Sequence, residues 1–504
     1  MTDIITNAGS QRGKICLSLY MDTIEPQINE IILKQNDAWL FFSNPHRVIE
    51  IHKRDEVIPA LQEIEDLVNA NDWHAAGFLS YEAAPVFDIS FKIRSHSDFP
   101  LLWFGLYPAP RLVSMPKPAS PKPTLTWSPT VDRGTYNSAI EQIKSHIANG
   151  RTYQVNYTMR LQTDFTEDTW NFFLHLAQTQ NNYAAYLDTG HYVIASASPE
   201  LFFQLDGNTI TGRPMKGTVK RGLTTGEDKE KAEWLRSSEK NRAENVMIVD
   251  MLRNDLGQMA RIGSVHVPGL FTAEKYPTLW QMTSTVKAEI SASVTNIIKA
   301  LFPCASITGA PKVSTMKIIA ELETTPRKIY TGSIGYIAPN RKATFNVAIR
   351  TALIDRETQT AEYGVGGGIV WDSTSTDEYS EALLKARVLT ESAPQFSLLE
   401  TMLWTPEEGF FLQEEHIARI LDSAEYFDVP ISRRGGVTPP LLPKEILEAY
   451  LDEITSQFTS PQRVRLLLDK NGNLSHEAKP FQPSDNPPPM KVCLAKEPVN
   501  SGNI

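Results

Sequence analysis

Cysteine is scarce in this chain: three among 504 residues, Cys16, Cys304 and Cys493. They lie too far apart in sequence for a metal-binding pair or a disulfide framework, which points to a reducing compartment. Long apolar runs are also missing. No stretch approaches the roughly 20 apolar residues that a membrane helix needs. The opening "MTDIITNAGSQRGK" has no apolar core, so no secretion signal is expected. Positive charge is in deficit, with a net charge of −10. A non-specific nucleic-acid binder needs a basic surface, so that class loses support. An anionic small molecule is still allowed, because a few local arginines suffice to hold it. The chain is 41% hydrophobic and 21% charged, a globular composition. It is longer than the roughly 250–300 residues at which single cores stop growing. A cytoplasmic protein of more than one domain is expected, with neither a nucleic acid nor a membrane as partner.

Three regions follow along the chain. Residues 1–115 mix strand-like runs ("AWLFFS", "PLLWFGLY") with an amphipathic segment, "VIPALQEIEDLV". They are expected to pack on a catalytic core. Residues 116–124, within "PKPASPKP", suggest an exposed, semi-extended linker. Residues 125–393 hold most of the glycine-bearing motifs. There, Ile140, Ile143 and Ile147 recur at helical spacing before a stop at Asn149-Gly150, and "RTYQVNYTMRLQ" alternates like a strand. Residues 394–504 carry a helix, "EEHIARILDSAEYF", and "RVRLLLD", and end in "KVCLAKEPVNSGNI". No internal repeat is visible.

Several motifs could carry chemistry. In "SPELFFQLDGNTITGRPMKGT", Glu200 and Lys216 flank a hairpin turning at Asp206-Gly207-Asn208, so they are expected on adjacent strands. They could form a surface ion pair, or an acid and a nucleophile facing one substrate; the lysine would then need burial or a nearby cation to lose its proton. "EKNRAENVMIVDMLRNDLGQ" predicts a long helix with Val246, Val249 and Leu252 inward and Glu244 close to that face. Glu244 could be a first-turn carboxylate favoured by the helix dipole or a metal ligand. "GVGGGIVWDSTSTDEYSEALLKARVL" pairs a glycine-rich turn with a helix capped by Thr376 or Asp377, with Glu378 and Glu381 sharing a face. Carboxylates from two helices suit Mg²⁺. "ATFNVAIRTALI" predicts one strand with Arg350 opposite Phe345, Val347 and Ile349, either solvated or clamping a carboxylate. "ASITGAPK" suits anion binding at a helix start but lacks the P-loop order, and the glycines of 364–368 do not make a dinucleotide fingerprint.

Taken together, nine ordered stretches over 134–391 resemble the chorismate-utilising enzymes: "YQVNYT", "SPELFF", "PMKGT", "RAENVMIVDMLRNDLG", "SITGAPK", "IYTGSIGYI", "FNVAIRT", "GVGGGIVWDS" and "EYSEALLKA". That family includes the anthranilate, aminodeoxychorismate, isochorismate and salicylate synthases. The resemblance implies an α+β fold of two large packed antiparallel sheets with outer helices, and a Mg²⁺-dependent site for chorismate. It implies Glu244 and Glu381, with Glu378 beside them, as the metal carboxylates. Arg350 and Tyr330 would hold one substrate carboxylate, and the N–H groups of Gly366 and Gly368 would meet the other. Gly217, Thr218 and Ser306 would line the ring, and Glu200 would be the acid that protonates the departing 4-hydroxyl. Gln281 stands where many relatives have a histidine.

Within the family, isochorismate and salicylate formers carry a water-activating lysine where this chain has Gln154. Anthranilate synthases have a small residue where this chain has Lys216. Lys216 resembles the nucleophile of aminodeoxychorismate synthases, which adds at ring carbon 2 before ammonia attacks carbon 4. The implied partners are chorismate, ammonia and a separate glutamine amidotransferase subunit. The alternatives are an anthranilate synthase large subunit, or a non-catalytic chorismate-binding scaffold. "FSLLETMLWTPEEGFFLQEEHIARILDSAEYFDVPIS" resembles the start of aminodeoxychorismate lyase, a fold-type IV pyridoxal-phosphate enzyme and a further possible partner. That family's cofactor lysine falls beyond Lys491 and Lys496, so no functional pyridoxal phosphate is expected here.

Overall fold

The computed structural model describes residues 24–35, 38–94, 98–178, 182–276, 279–390, 396–431 and 443–482. Cys16, Cys493, Lys491, Lys496 and the segment "KVCLAKEPVNSGNI" lie outside the described residues.

Two ten-stranded antiparallel sheets dominate the described residues. The first runs Gly309–Ala310, Gln154–Asp164, Thr360–Ile369, Thr351–Asp355, Tyr192–Ser198, Tyr183–Asp188, Ile31–Gln35, Ala38–Phe42, Arg111–Val113, with Ser128–Pro129 beside Gln154–Asp164. The second runs Met215–Lys220, Leu279–Glu289, Thr209–Arg213, Leu201–Asp206, Lys342–Asn346, Ser333–Ala338, His74–Leu79, Leu102–Tyr107, Arg47–Ile51, with His266–Lys275 beside Leu279–Glu289. The α+β expectation therefore holds. The N-terminal region is woven into the architecture: three of its strands complete each sheet, so no separate core forms there.

The sheets face each other through a shared apolar layer. Leu33, Phe42, Leu187 and Ile194 of the first meet Phe78, Trp103, Tyr107 and Ile334 of the second. Helices cover the outer faces. Arg133–Ala148, Thr169–Ala177 and Lys312–Leu322 lie on the first sheet, and Arg54–Asn71, Glu239–Gly257 and Val294–Leu301 on the second. Each fully buried Leu, Ile or Phe contributes about 1.5–3 kcal/mol relative to exposure. This layering explains why "YQVNYTMRL" does not alternate in burial: the first eight residues of Gln154–Asp164 are all buried, covered on both faces. The stretch 116–124 is irregular but tethered, as Asn171 Oδ1 accepts hydrogen bonds from Ala119 N (3.0 Å) and Ser120 N (3.2 Å).

Three expected elements differ. "ATFNVAIRTALI" is two strands, one in each sheet: Lys342–Asn346 and Thr351–Asp355. The chain crosses between sheets at residues 347–350, where Arg350 takes a left-handed φ of 51°. A period-2 pattern survives such a crossing, which is why the sequence hides it. The glycines of "GVGGG" are not a turn but the middle of the strand Thr360–Ile369, paired from Gly366↔Thr158 to Gly368↔Asn156. The following helix, Ser375–Ala386, is capped by Thr374, whose Oγ1 accepts from Asp377 N at 3.2 Å, rather than by Thr376 or Asp377.

The C-terminal piece forms its own four-stranded sheet, Gly409–Phe410, Leu398–Thr405, Gln462–Leu468, Leu474–Pro480. One face is covered by helices Gln413–Phe427 and Pro443–Thr455 through Met402, Ile417, Ile420, Leu447 and Val464. Among the described residues, no helix is long and apolar enough to cross a membrane.

Candidate active site

The site forms where the end strand of the second sheet reaches the first. Met215–Lys220 pairs with Leu279–Glu289, with Met215 opposite Thr283 and Thr218 opposite Gln281. Three steps on one strand therefore match two on the other, so one residue bulges out and re-aims its neighbour's side chain. Gly217 takes φ 93°, and a Cβ there would come within 3.1 Å of Asn241. The bulge sends Lys216 across to the first sheet. Its Nζ lies 3.1 Å from where a Cβ on Gly368 would stand, and Gln154 Nε2 lies 2.3 Å from the same point. A Cβ at 368 would push the Gln154 amide from this position and crowd the lysine.

Glu200 completes this centre, but not as a strand neighbour of Lys216. Two strands, Thr209–Arg213 and Leu279–Glu289, separate Leu201–Asp206 from Met215–Lys220 in the sheet. The residues meet because Leu201 pairs with Arg213 and the chain runs on past Pro214, which brings Met215 N onto the Glu200 carboxylate. Glu200 is buried, Ser306 also donates to it, and its Oε1 has no hydrogen-bond partner. Burial pushes its carboxyl up to about 7. Desolvation pulls the half-buried Lys216 down, against the opposing pull of Glu244 and Glu200, and the nearby Lys385 cation lowers it further. A carboxyl that keeps its proton near neutrality beside an amine that loses its own early can act as an acid and a nucleophile.

The three candidate metal carboxylates share this neighbourhood. Glu244 is half-buried on Glu239–Gly257, where Val249 and Ile248 point inward while Val246, expected inward, is exposed. Burial raises Glu244, and Glu381 raises it further by repulsion. Burial also raises Glu378, whose Oε1 accepts from Ser373 Oγ at 2.6 Å. Glu381 is lowered, chiefly by Lys385, whose Nζ sits 2.9 Å from it. Among the described residues, no three acidic, histidine or cysteine side chains close into a ready-made cage. Mg²⁺ commonly takes only one or two carboxylates together with waters and an anionic ligand, so this donor set fits it.

Arg350 and Tyr330 lie near each other around Tyr363. Both act electrostatically on Tyr363. The half-buried Arg350 guanidinium has no carboxylate partner among the described residues. Tyr330 packs its ring where a Gly364 Cβ would stand, 2.2 Å away, with Arg160 Cζ 4.9 Å from its centroid. Burial pushes the Tyr330 phenol up to about 12, keeping it a neutral donor. Gln281 spends both ends of its amide on the lysine strand: Nε2 donates to Gly217 O (3.0 Å), and Oε1 accepts from the exposed Thr218 (3.0 Å).

Lys385, which the sequence motifs do not single out, donates to Gly366 O at 2.8 Å and pairs with Glu381. Its spacing four residues after Glu381 is the one signal for it in the sequence. Ser373 and Arg160 carry no local pattern.

The family model described as chorismate binding enzyme matches residues 19–391. An aminodeoxychorismate synthase component 1 of Salmonella typhimurium is 40% identical over 266 residues, 52% of this chain and 58% of the relative. A protein of the same name from Bacillus subtilis is 41% identical over 254 residues, 50% of this chain and 54% of the relative. The chain thus spans little more than half the length of these curated relatives. Among solved structures, anthranilate synthase component I from Streptococcus pneumoniae TIGR4 shares the fold, with a TM-score of 0.62 at 23% identity over 74% of this chain and 95% of that one.

Proposed function

The chain belongs to the chorismate binding enzyme family, and from that premise we propose that it is the large component of an aminodeoxychorismate synthase, making 4-amino-4-deoxychorismate from chorismate and ammonia. One observation carries this reading: Lys216 Nζ lies against Gly368 and Gln154, beside the buried Glu200. An amide at 154 cannot activate water as a base. A lysine at 216 fills space that ammonia would need for attack at carbon 2.

In this reading Arg350 and Tyr330 grip one substrate carboxylate. The Lys216 amine forms a bond to ring carbon 2, both conjugated ring double bonds shift by one bond each, and the bond from carbon 4 to its hydroxyl breaks. Glu200 gives that hydroxyl its proton, and it leaves as water. Ammonia then bonds to carbon 4, both double bonds shift back, and the bond from Lys216 to carbon 2 breaks, freeing the amine. The surplus ammonia proton returns to Glu200. Glu244 and Glu381, with Glu378 behind them, would hold Mg²⁺, which when bound offsets the charge of a substrate carboxylate.

We further assign the ammonia supply to a separate glutamine amidotransferase subunit, the product to an aminodeoxychorismate lyase, and the protein to the cytoplasm. The product leads to p-aminobenzoate and folate.

The test is product identity from chorismate, Mg²⁺ and ammonia. Aminodeoxychorismate should accumulate and give p-aminobenzoate only when a lyase is added. Fluorescent anthranilate without lyase would refute the reading in favour of attack at carbon 2. Lys216→Ala should lower turnover on the order of 10³-fold or more. An unchanged rate would remove the nucleophile.

A further inference from the structure

The C-terminal piece does not stand apart from the site. Its helix Gln413–Phe427 lies against helix Thr225–Ser237 and the end of His266–Lys275. The contacts concentrate five to six residues after Lys216. Arg221 donates through one guanidinium nitrogen to Tyr426 O (2.8 Å), and its Cζ lies 4.5 Å from the Tyr426 ring centroid. Tyr426 OH donates back to Gly222 O at 2.6 Å. Around these, Lys275 Nζ binds Glu425 O and Asp428 Oδ1, and Lys229 pairs with Glu425.

Arg221 is nearly buried and committed on every side. Its Nε donates to Asp228 Oδ1 (2.7 Å), and its remaining nitrogen donates to Tyr276 O (3.0 Å). The same Asp228 oxygen accepts from Gly222 N (3.0 Å) and Trp280 Nε1 (2.8 Å). Trp280 precedes Gln281, whose amide holds Gly217 O and Thr218. Hydrogen bonds from Tyr426 to Trp280, the peptide link from Trp280 to Gln281, and the Gln281 amide thus connect the C-terminal helix to the bulge that aims Lys216. Isolated surface pairs would contribute little, but a buried arginine using all three nitrogens fixes geometry.

We propose that helix Gln413–Phe427 is a clamp that holds the Lys216 bulge in register, with Arg221 and Tyr426 as positioning residues for that lysine. The proposal rests on the reading of Lys216 as the reacting amine. It gives the C-terminal piece a task that needs no cofactor of its own.

Hydrogen–deuterium exchange on the full chain, together with steady-state kinetics, tests it. Tyr426→Ala should speed exchange several-fold in 215–222 and 279–283, while the distant strands Tyr183–Asp188 and Tyr192–Ser198 keep the wild-type rate. Turnover should fall about tenfold to 10²-fold, as for a misplaced reacting group, mainly in kcat rather than KM. Tyr426→Phe keeps the ring over Arg221 and should retain most of the protection and rate. The clamp is refuted if 215–222 exchanges at the wild-type rate in Tyr426→Ala, or if it exchanges faster with kcat unchanged. Should Tyr426→Ala fail to fold, Tyr426→Phe against wild type decides by the same readings, a partial loosening with a partial fall in kcat being required. A wild-type chain that turns over no chorismate would refute the proposed function, while the exchange comparison would still judge the clamp.

Discussion

Replacing Glu200 with glutamine keeps the shape of the side chain and removes its titration. In the folded protein this carboxyl stands at about 7, raised by burial, against an ordinary value of 4.5. Between those pH values the native state holds a proton that the unfolded chain has released. Stability is therefore lost as pH rises through that window. A gap of about 2.5 pH units at about 1.4 kcal/mol each amounts to about 3 kcal/mol. Glu200→Gln carries no such dependence. Its stability relative to wild type should improve by about 3 kcal/mol between pH 4 and pH 8. Urea unfolding of both proteins at the two pH values reads this directly, and taking the difference between them cancels every titrating group that does not interact with Glu200. The kinetic arm runs in parallel. Loss of a general acid lowers kcat about 10²- to 10⁴-fold. The wild-type rate should also decline as pH rises through about 7, where Glu200 gives up its proton; in the variant that decline disappears. A stability difference that is the same at pH 4 and pH 8 would refute the buried, protonated carboxyl. A variant within threefold of wild-type turnover would refute its role as the acid.

Further outcomes follow from the geometry at Arg350 and Gly368. Arg350→Ala should raise KM for chorismate about 10- to 150-fold, the worth of charge-assisted hydrogen bonds at about 1.5–3 kcal/mol. Because Arg350 sits at φ 51°, Arg350→Gly should lose the same affinity yet be more stable than Arg350→Ala by about 1 kcal/mol, measured by thermal melting; equal melting temperatures would contradict the strained backbone. Gly368→Ala would press a Cβ to 2.3 Å from Gln154 Nε2 and 3.1 Å from Lys216 Nζ, so turnover should drop at least about tenfold as the shifted Gln154 amide and the new methyl crowd the lysine. Gly257→Ala, at a helical glycine with nothing within 4 Å of the added Cβ, should leave turnover unchanged; a similar loss in both would show that the effect is not local.

The side chains of the candidate site are legible in the sequence; their mutual placement is not. Ordered short motifs named Glu200, Lys216, Glu244, Tyr330, Arg350 and Glu381, because chemistry needs particular side chains and sequence records them directly. Helices were also legible. Apolar spacing and an Asn-Gly stop marked Arg133–Ala148, and "EEHIARILDSAEYF" marked Gln413–Phe427. The sequence by itself determined which chemical groups were present and the period of each element. Tertiary structure alone decided their partners. Nothing local to "FNVAIRT" says that the chain changes sheets at Arg350, since both halves keep the same alternation. Nothing local to "GVGGG" distinguishes a turn from a strand: those glycines are there because Tyr330, Gln154 and Lys216 crowd in from elements far along the chain. The bulge at Gly217 is likewise defined by its partner strand, over sixty residues away. The shifted protonation of Glu200 and Lys216 comes from burial between two sheets, a property of packing that no residue carries alone.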